Sequence, residues 1–396
     1  MKKLGIISEF NPFHNGHEYL LEKSKEKTKA EIAISLMSGD YVQRGEAAII
    51  DKFSRADAAM KAGFDMVVEM PNYISLQSAE YFALGSVKIL NKLDIDYLCF
   101  GIENEEPDDF LKKAYILIDK KDELDVLTKK NLNNSSFTKA RYNATVEILG
   151  DNNFITSNNI LALEYIRAIE KINSKVKAIP IKRISSANKD IKLNNSKISS
   201  STAIRKHIFD SYKDHVPSYS YELIEKSKEI YGLANMNYYY DLFKFLILIE
   251  HRLMDDIIGY ENGIDNYLEK IAIKNCSFNN FIKEATTKRY TSSRIKRLML
   301  NYILENKICF NKYDLDFYKV LAFNKKSEYI LKNAKAKAII RKKDSYNLSK
   351  TDKIVFSRMI DASNLYNLST GRNLYEDFTK KNKTLLVFLR ASFKVI

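Results

Sequence analysis

The 396-residue chain is long enough for two or three domains with a sizeable core, and its most apolar later run, Phe245 to Ile249, falls far short of the roughly 18 residues a membrane span requires. Three scattered cysteines (Cys99, Cys276, Cys309) lack C-x-x-C spacing, and the apolar run after Met1-Lys2-Lys3 stops at Glu9, too short for a signal peptide, so a soluble cytoplasmic protein is expected. The net charge of +14 divides into +2 over residues 1–215 and +12 over residues 216–396, which points to a polyanionic partner for the second part unless its lysines are merely a solvated surface.

In chain order, the first 185 residues alternate short apolar runs with helix-like segments. Strands are expected at Leu4–Ile7, Ile32–Leu36, Met66–Glu69, Tyr97–Phe100 and Val176–Ile181. Helices are expected at Glu18–Lys27, Asp51–Ala62, Ser78–Leu93, Asp108–Asp119, Phe137–Leu149 and Asn159–Lys171. Crossovers of this length imply an α/β fold, a doubly wound parallel sheet with helices on both faces and ligands outside the carboxyl ends of its strands. The polar Ser185-Ser186-Ala187-Asn188 and Asn194–Thr202 read as loop, and Pro217 marks a boundary, giving a catalytic domain over 1–215 and a mainly helical, basic domain over 216–396. In the latter, helical spacing recurs at Tyr240–Leu253, Ile264–Ile273, Arg294–Leu304 and Phe317–Leu331, and Lys383–Leu389 reads as a strand. Aromatic residues interleave its charge (Phe278, Phe281, Tyr290, Tyr302, Phe310, Tyr313, Phe317), as base stacking would need, although most are expected in the core.

The most informative stretch is Asn11-Pro12-Phe13-His14-Asn15-Gly16-His17, where the first strand turns into the first helix. A helix N-terminus has unpaired N–H groups and a positive dipole end, so a His-x-Gly-His turn there reads as a nucleotide-phosphate site. Pro12 forces the turn, Gly16 removes a side chain that would block a phosphate, and His14 and His17 share the face of one helical turn. Surface histidines, or half of a metal site, are the plainer alternatives. The second loop, Met37 to Glu46, holds Arg44 between two glycines and suits a pocket edge carrying a guanidinium. Gly101 at a strand end would let an adenine or ribose lie against the backbone. Asn158 or Asn159 opens a helix near the sheet, and Lys182-Arg183 follows the fifth strand where a triphosphate would meet a cation. In Lys197–Arg205, Ser200 or Ser201 caps a helix that brings in Arg205 about one turn later.

His14-x-Gly16-His17 together with Ile198-Ser199-Ser200-Ser201-Thr202-x-x-Arg205 resembles the nucleotidylyltransferase superfamily. More narrowly, Glu9–His17, Met37-Ser38-Gly39, Val42–Glu46, Gln77-Ser78-Ala79, Phe100-Gly101 and Arg289-Tyr290-Thr291 resemble the bacterial tRNA(Met) cytidine acetate ligase family. That resemblance implies activation of acetate by ATP to acetyl-adenylate, then acetylation of N4 of the wobble cytidine of elongator tRNA(Met). It also implies an ATP-binding segment comprising Ile7, Ser8, Glu9, Phe10, Asn11, Pro12, Phe13, His14, Asn15, Gly16, His17, Glu18, Tyr19 and Leu20, assisted by Gly101, Asn158 or Asn159, and Arg183. Asp40 and Ala47 depart from it, standing where the family pattern has Asn and Pro.

On this basis His14 and His17 are expected to be catalytic, stabilising charge that grows on the α-phosphate, while Arg183, Ser200, Ser201 and Arg205 hold the β,γ-phosphates with Mg²⁺ bridging them. The tRNA is expected to dock on Lys288, Arg289, Arg294, Lys296 and Arg297. No residue is expected to form a dedicated metal site. A small-molecule nucleotidylyltransferase of cofactor biosynthesis and a non-catalytic RNA-binding protein are the competing readings; the first leaves the +12 half unexplained and the second leaves the intact histidines unexplained.

Overall fold

The computed structural model describes residues 1–134, 137–184, 193 and 197–379. Its strands in chain order are β1 (Lys3–Ser8), β2 (Ile32–Ser38), a short hairpin of β3 (Tyr41–Val42) and β4 (Glu46–Ala47), β5 (Met66–Met70), β6 (Tyr97–Ile102), β7 (Lys177–Lys182), β8 (Phe317–Phe323) and β9 (Lys337–Ile339). Seven of them form one sheet in the order β7-β6-β1-β2-β5-β8-β9. From β7 to β5 every pairing is parallel. The strand order reverses between β1 and β6, and the crevice outside their carboxyl ends is where such a sheet takes its ligand.

The strands are near-continuous apolar runs because both faces are covered. Along β2, Ile32, Ile34 and Leu36 join a core on one face with Val87, Leu90 and Ile166, while Ala33 and Met37 join a core on the other with Leu21, Phe53 and Ala59. The doubly wound sheet expected from the sequence is therefore present, with all five strands within two residues of their expected bounds. Among the described residues no helix is long and apolar enough to cross a membrane.

One expected helix is a strand. Residues 317–323 form β8, wholly buried and antiparallel to β5, and only Glu328–Asn333 of the expected Phe317–Leu331 helix is α-helical. Lys319 stands opposite Glu69 in this register, so a charge that breaks the apolar run in sequence is neutralised across the sheet. Residues 317–339 thus supply two of the seven strands, and the sheet is not confined to residues 1–215. The expected helix Tyr240–Leu253 is α-helical over Met236–Lys244 and then passes into a π-turn, Phe245–Ile249. The loop expected at Ser185–Asn188 and Asn194–Ser196, and the strand expected at Lys383–Leu389, lie outside the described residues.

A second core is built from helices Met236–Lys244, Ile264–Lys274, Phe278–Ala285 and Ser292–Ile303. It also takes in Tyr41 and Ala47 of the β3–β4 hairpin, which joins the helical part to the sheet. Phe278, Phe281, Tyr290, Tyr302, Phe310 and Phe317 are buried and Tyr313 is half-buried, so these aromatics are core rather than a stacking platform.

Where β2, β5 and β8 meet the helix Lys350–Ser369, five charged side chains are buried together. Lys52 Nζ lies 3.3 Å from Asp40 Oδ2, 2.8 Å from Glu69 Oε1 and 3.0 Å from Asp377 Oδ1; Lys319 Nζ pairs with Glu69 Oε2 at 2.7 Å and with Asp377. Ser363 Oγ donates to Asp40 Oδ2 at 2.6 Å. The Asp40 departure is thereby placed in an ion network rather than facing a ligand. Ala47 donates its N–H to Met236 Sδ at 3.3 Å, a bond that proline could not make.

Candidate active site

The turn after β1 ends in a helix cap made by two imidazoles. His14 is the N-cap of helix Asn15–Thr28, and its Nδ1 accepts the Gly16 N–H at 3.1 Å. His17 Nδ1 in turn accepts the His14 N–H at 3.2 Å. With both Nδ1 atoms accepting, the proton of each neutral ring sits on Nε2, the one donor each ring has left. The rings stack with centroids 3.7 Å apart. A Cβ on Gly16 would lie 2.9 Å from His14 Cε1, so the glycine is needed for the imidazole to fold back over its own helix, more than for access of a phosphate.

Burial, then the proximity of Arg183, lowers the His17 pKa from 6.5 to about 3. His14 is also driven well below 6.5, by burial first and then by His17, Arg183 and Arg205. Both rings are therefore neutral donors at physiological pH. Glu9 responds in the opposite sense: burial raises its carboxyl, although its Oε1 accepts the Gln43 N–H at 2.7 Å and Arg44 and Arg205 pull it back.

These groups open onto a cavity of about 570 Å³ at the carboxyl ends of β1 and β6. Of the residues expected to bind nucleotide, Ile7, Ser8, Glu9, Phe10, His14, Gly16, His17, Tyr19, Leu20, Gly101, Asn158, Arg183, Ser201 and Arg205 line it. The remainder support it from behind. Asn11 accepts the Ile49 N–H through Oδ1 at 2.9 Å, and its carbonyl accepts from Arg205 at 2.9 Å. Phe13 packs in the core with Phe10, next to Pro12, which is also buried, while Asn15 donates to the carbonyls of Lys197 and Asp214 and Glu18 accepts from Tyr219. Ser200 caps the helix Ser201–Lys206 by accepting the Ala203 N–H at 3.1 Å.

The two asparagines separate cleanly. Asn159 is fully buried and clamps the backbone of Glu103, accepting its N–H and donating to its C=O, both at 2.8 Å. Asn158 lines the cavity and donates to Glu103 Oε1 at 2.5 Å. The same carboxylate lies 3.7 Å from Arg183 Nη1. A Cβ on Gly101 would come within 3.0 Å of Arg183 Cγ, so this glycine makes room for the arginine stem lying across the end of β6.

Sequence reasoning did not assign Gln43 or Ser293 to the cavity, and it named Arg44 only as a pocket edge. Arg44 donates to Thr202 Oγ1 at 3.2 Å, bridging the second loop to the Ser201–Lys206 helix. The five cations expected to meet tRNA are placed unequally. Lys288 and Arg289 are exposed; Arg289 pairs with Glu261, Arg294 pairs with the same carboxylate at 2.6 Å, and Lys296 lies 2.5 Å from Glu46. Arg297 instead lines the cavity with His14 and His17. Among the described residues no three His, Cys, Asp or Glu side chains are grouped to hold a metal ion.

The model of the HIGH nucleotidyl transferase family matches residues 1–382. A tRNA(Met) cytidine acetate ligase of Caldanaerobacter subterraneus subsp. tengcongensis is 37% identical, the match covering 93% of this chain and 96% of that protein. A protein of the same description from Clostridium acetobutylicum is 36% identical over 96% of this chain and 99% of its own length. Among solved structures, Thermotoga maritima TmcAL superposes with a TM-score of 0.83 at 29% identity, covering 93% of this chain and 95% of that one. Its form bound to alpha-thio ATP gives a TM-score of 0.82 at 29% identity, covering 96% and 98%.

Proposed function

Because the chain belongs to the HIGH nucleotidyl transferase family, among its tRNA(Met) cytidine acetate ligases, we propose that it joins acetate to N4 of the wobble cytidine of elongator tRNA(Met) at the expense of ATP. The observation that carries this reading is the pair of neutral, Nε2-protonated imidazoles capping a helix at the switch point of the sheet, inside a cavity that also holds Arg44, Arg183 and Arg205.

In the first step an acetate oxygen attacks the α-phosphorus of ATP and the bond to the bridging oxygen breaks, releasing pyrophosphate. Negative charge grows on the α-phosphoryl oxygens, and His14 and His17 donate to it through Nε2–H without first having to lose or gain a proton. Arg183 and Arg205, with Ser201 at the next helix start, offset the charge of the β,γ-phosphates. Mg²⁺ would arrive on the nucleotide and screen the charge of those phosphates. In the second step the cytosine amine attacks the acyl carbon, the bond to AMP breaks, and N4 gives up a proton. Cytosine N4 is a poor nucleophile, which is why an activated acyl group is required.

Residues 1–215 carry the two histidines and most of the cavity lining in this reading, and residues 216–396 carry the basic surface on which tRNA docks, through Lys288, Arg289, Arg294 and Lys296. The protein acts in the cytoplasm, where its tRNA substrate is found. The test is incubation with ATP, radiolabelled acetate and bacterial tRNA, followed by nucleoside analysis. Label is expected in N4-acetylcytidine, and ATP–pyrophosphate exchange is expected only when acetate is present. Exchange that depends instead on nicotinate mononucleotide or a pantetheine phosphate would replace this reading with the cofactor-biosynthetic one.

A further inference from the structure

We propose that Arg297, carried by the helix Ser292–Ile303 of the basic part, is a nucleotide-binding residue whose guanidinium meets the polyphosphate of the bound nucleotide and not the backbone of an RNA. The inference rests on the reading above that the cavity takes ATP.

Its neighbours on the helix set it apart. Arg294 and Lys296 are each held by a carboxylate, Glu261 and Glu46 respectively. Arg297 has no carboxylate within ion-pair distance among the described residues; its hydrogen bond goes to the Gln43 carbonyl, at 3.1 Å. Ser293, one turn earlier on the same face, lines the cavity with it. Burial, and then Arg294, lower the Arg297 pKa to about 10, which still leaves it charged at neutral pH. A half-buried cation without a counter-charge is costly, and an anion entering the cavity removes that cost.

The position favours nucleotide over RNA. Gln43 binds Arg297 through its carbonyl and Glu9 through its N–H, so the guanidinium is tied by one residue to the segment that carries His14 and His17. The loop packs backbone to backbone on the helix: Gly45 has φ +77°, and a Cβ there would lie 2.5 Å from the Arg297 backbone nitrogen. Arg44 and Arg205 line the same cavity, so Arg297 completes a set of guanidiniums supplied from both halves of the chain.

The experiment measures Arg297→Ala and Arg297→Lys in the full-length protein for three quantities: ATP affinity by calorimetry without acetate or tRNA, tRNA affinity by filter binding, and melting temperature with and without ATP. ATP affinity is expected to fall roughly 10- to 100-fold in Arg297→Ala, the range for a hydrogen bond to a charged group, and less in Arg297→Lys. Affinity for tRNA is expected to be unchanged. The nucleotide-free melting temperature is expected to hold or rise, because an uncompensated cation has been removed, while its increase on adding ATP shrinks. Because calorimetry needs no turnover, this outcome is separable from failure of the acetate-dependent reaction. Unchanged ATP affinity, with or without weakened tRNA binding, overturns the proposal. A drop in the nucleotide-free melting temperature that tracks the loss of ATP binding also overturns it, since Arg297 would then be a structural prop of the second loop.

Discussion

Two clusters of buried charge lie at the edge of the same sheet, and they are built on opposite plans. In the network under helix Lys350–Ser369, each ammonium touches carboxylates and each carboxylate touches an ammonium: Lys52 and Lys319 against Asp40, Glu69 and Asp377. In the cavity, among the described residues, Arg183 has one carboxylate at 3.7 Å, Arg205 one at 3.8 Å, and Arg297 none, while the two imidazoles are held neutral. Burial of charge alone therefore does not mark a site. What marks it is cationic charge with few and distant counter-charges beside a cavity of about 570 Å³. The closed network holds the carboxyl-terminal segment against the sheet, and the open one awaits an anion.

The largest effect should come from breaking the closed cluster. Lys52→Met leaves Glu69 and Asp377 to Lys319 alone and takes from Asp40 the ammonium it pairs with, which should cost about 3–5 kcal/mol of stability. The denaturation midpoint measures this, and ATP affinity should persist in whatever fraction remains folded. A variant as stable as the parent would mean that the network is not closed in solution.

Breaking the open cluster should do the reverse. His17→Ala should leave tRNA binding intact, cost only about 1 kcal/mol of stability through the lost cap to the His14 N–H, and slow acetyl-adenylate formation by on the order of 10²–10³, as measured in single turnovers. The same ring offers a sharper check through its proton. Its pKa in the folded protein, about 3, lies below the unfolded value of about 6.5, so the unfolded state gains protons first as pH falls and stability declines from about pH 6.5 toward 3. In the ligand-free protein, the His17 Cε1–H resonance should show no inflection between pH 5 and 8; an inflection near 6.5 would contradict the neutral-donor mechanism. A smaller effect is expected at Gly101→Ala, where the added methyl displaces the Arg183 stem and should weaken ATP binding about tenfold, the weight of one hydrogen bond, with the fold unchanged.

The contrast also explains what the sequence could and could not reveal. His14, Gly16 and His17 are legible because a strand, a turn and a capped helix follow one another within 17 residues, so local chemistry fixes their geometry. The five parallel strands are legible because burial on both faces writes them as apolar runs. Arg297 is about 250 residues from the loop it touches, and its helix has charges on more than one side; only Ser293 and Arg297, spaced four apart, hint at a second polar face. β8 was hidden by Lys319, whose partner Glu69 comes from a distant strand. Asp40, Lys52 and Asp377 had no local sign of one another, because an ion network assembled by the fold leaves only isolated charges in the sequence.

The smallest effect should come from restoring the residue that the family pattern has at position 40. Asp40 makes the closed cluster three carboxylates against two ammoniums. Burial raises its pKa, Lys52 pulls it back, and Glu69 and Asp377 push it up again, for a net rise above 3.8. A carboxyl whose folded value exceeds its unfolded one contributes stability that is present at low pH and lost as pH climbs through the folded value. Asp377 works in the opposite sense: burial alone would raise it, but Lys319 and Lys52 outweigh burial and hold it low, and it is present in parent and variant alike. Asp40→Asn removes one negative charge; its one oxygen, at the Oδ1 position, still accepts the Lys52 N–H, and its amide nitrogen, at the Oδ2 position, donates to the Ser363 hydroxyl in place of accepting from it, so at pH 7 it should be neutral to about 1 kcal/mol stabilising. The stability difference between variant and parent, followed by urea denaturation, should grow as pH is raised from about 4 to 7. A variant destabilised by more than about 2 kcal/mol at pH 7 would show that Lys52 needs all three carboxylates, and the closed cluster would then be matched in number as well as in contact.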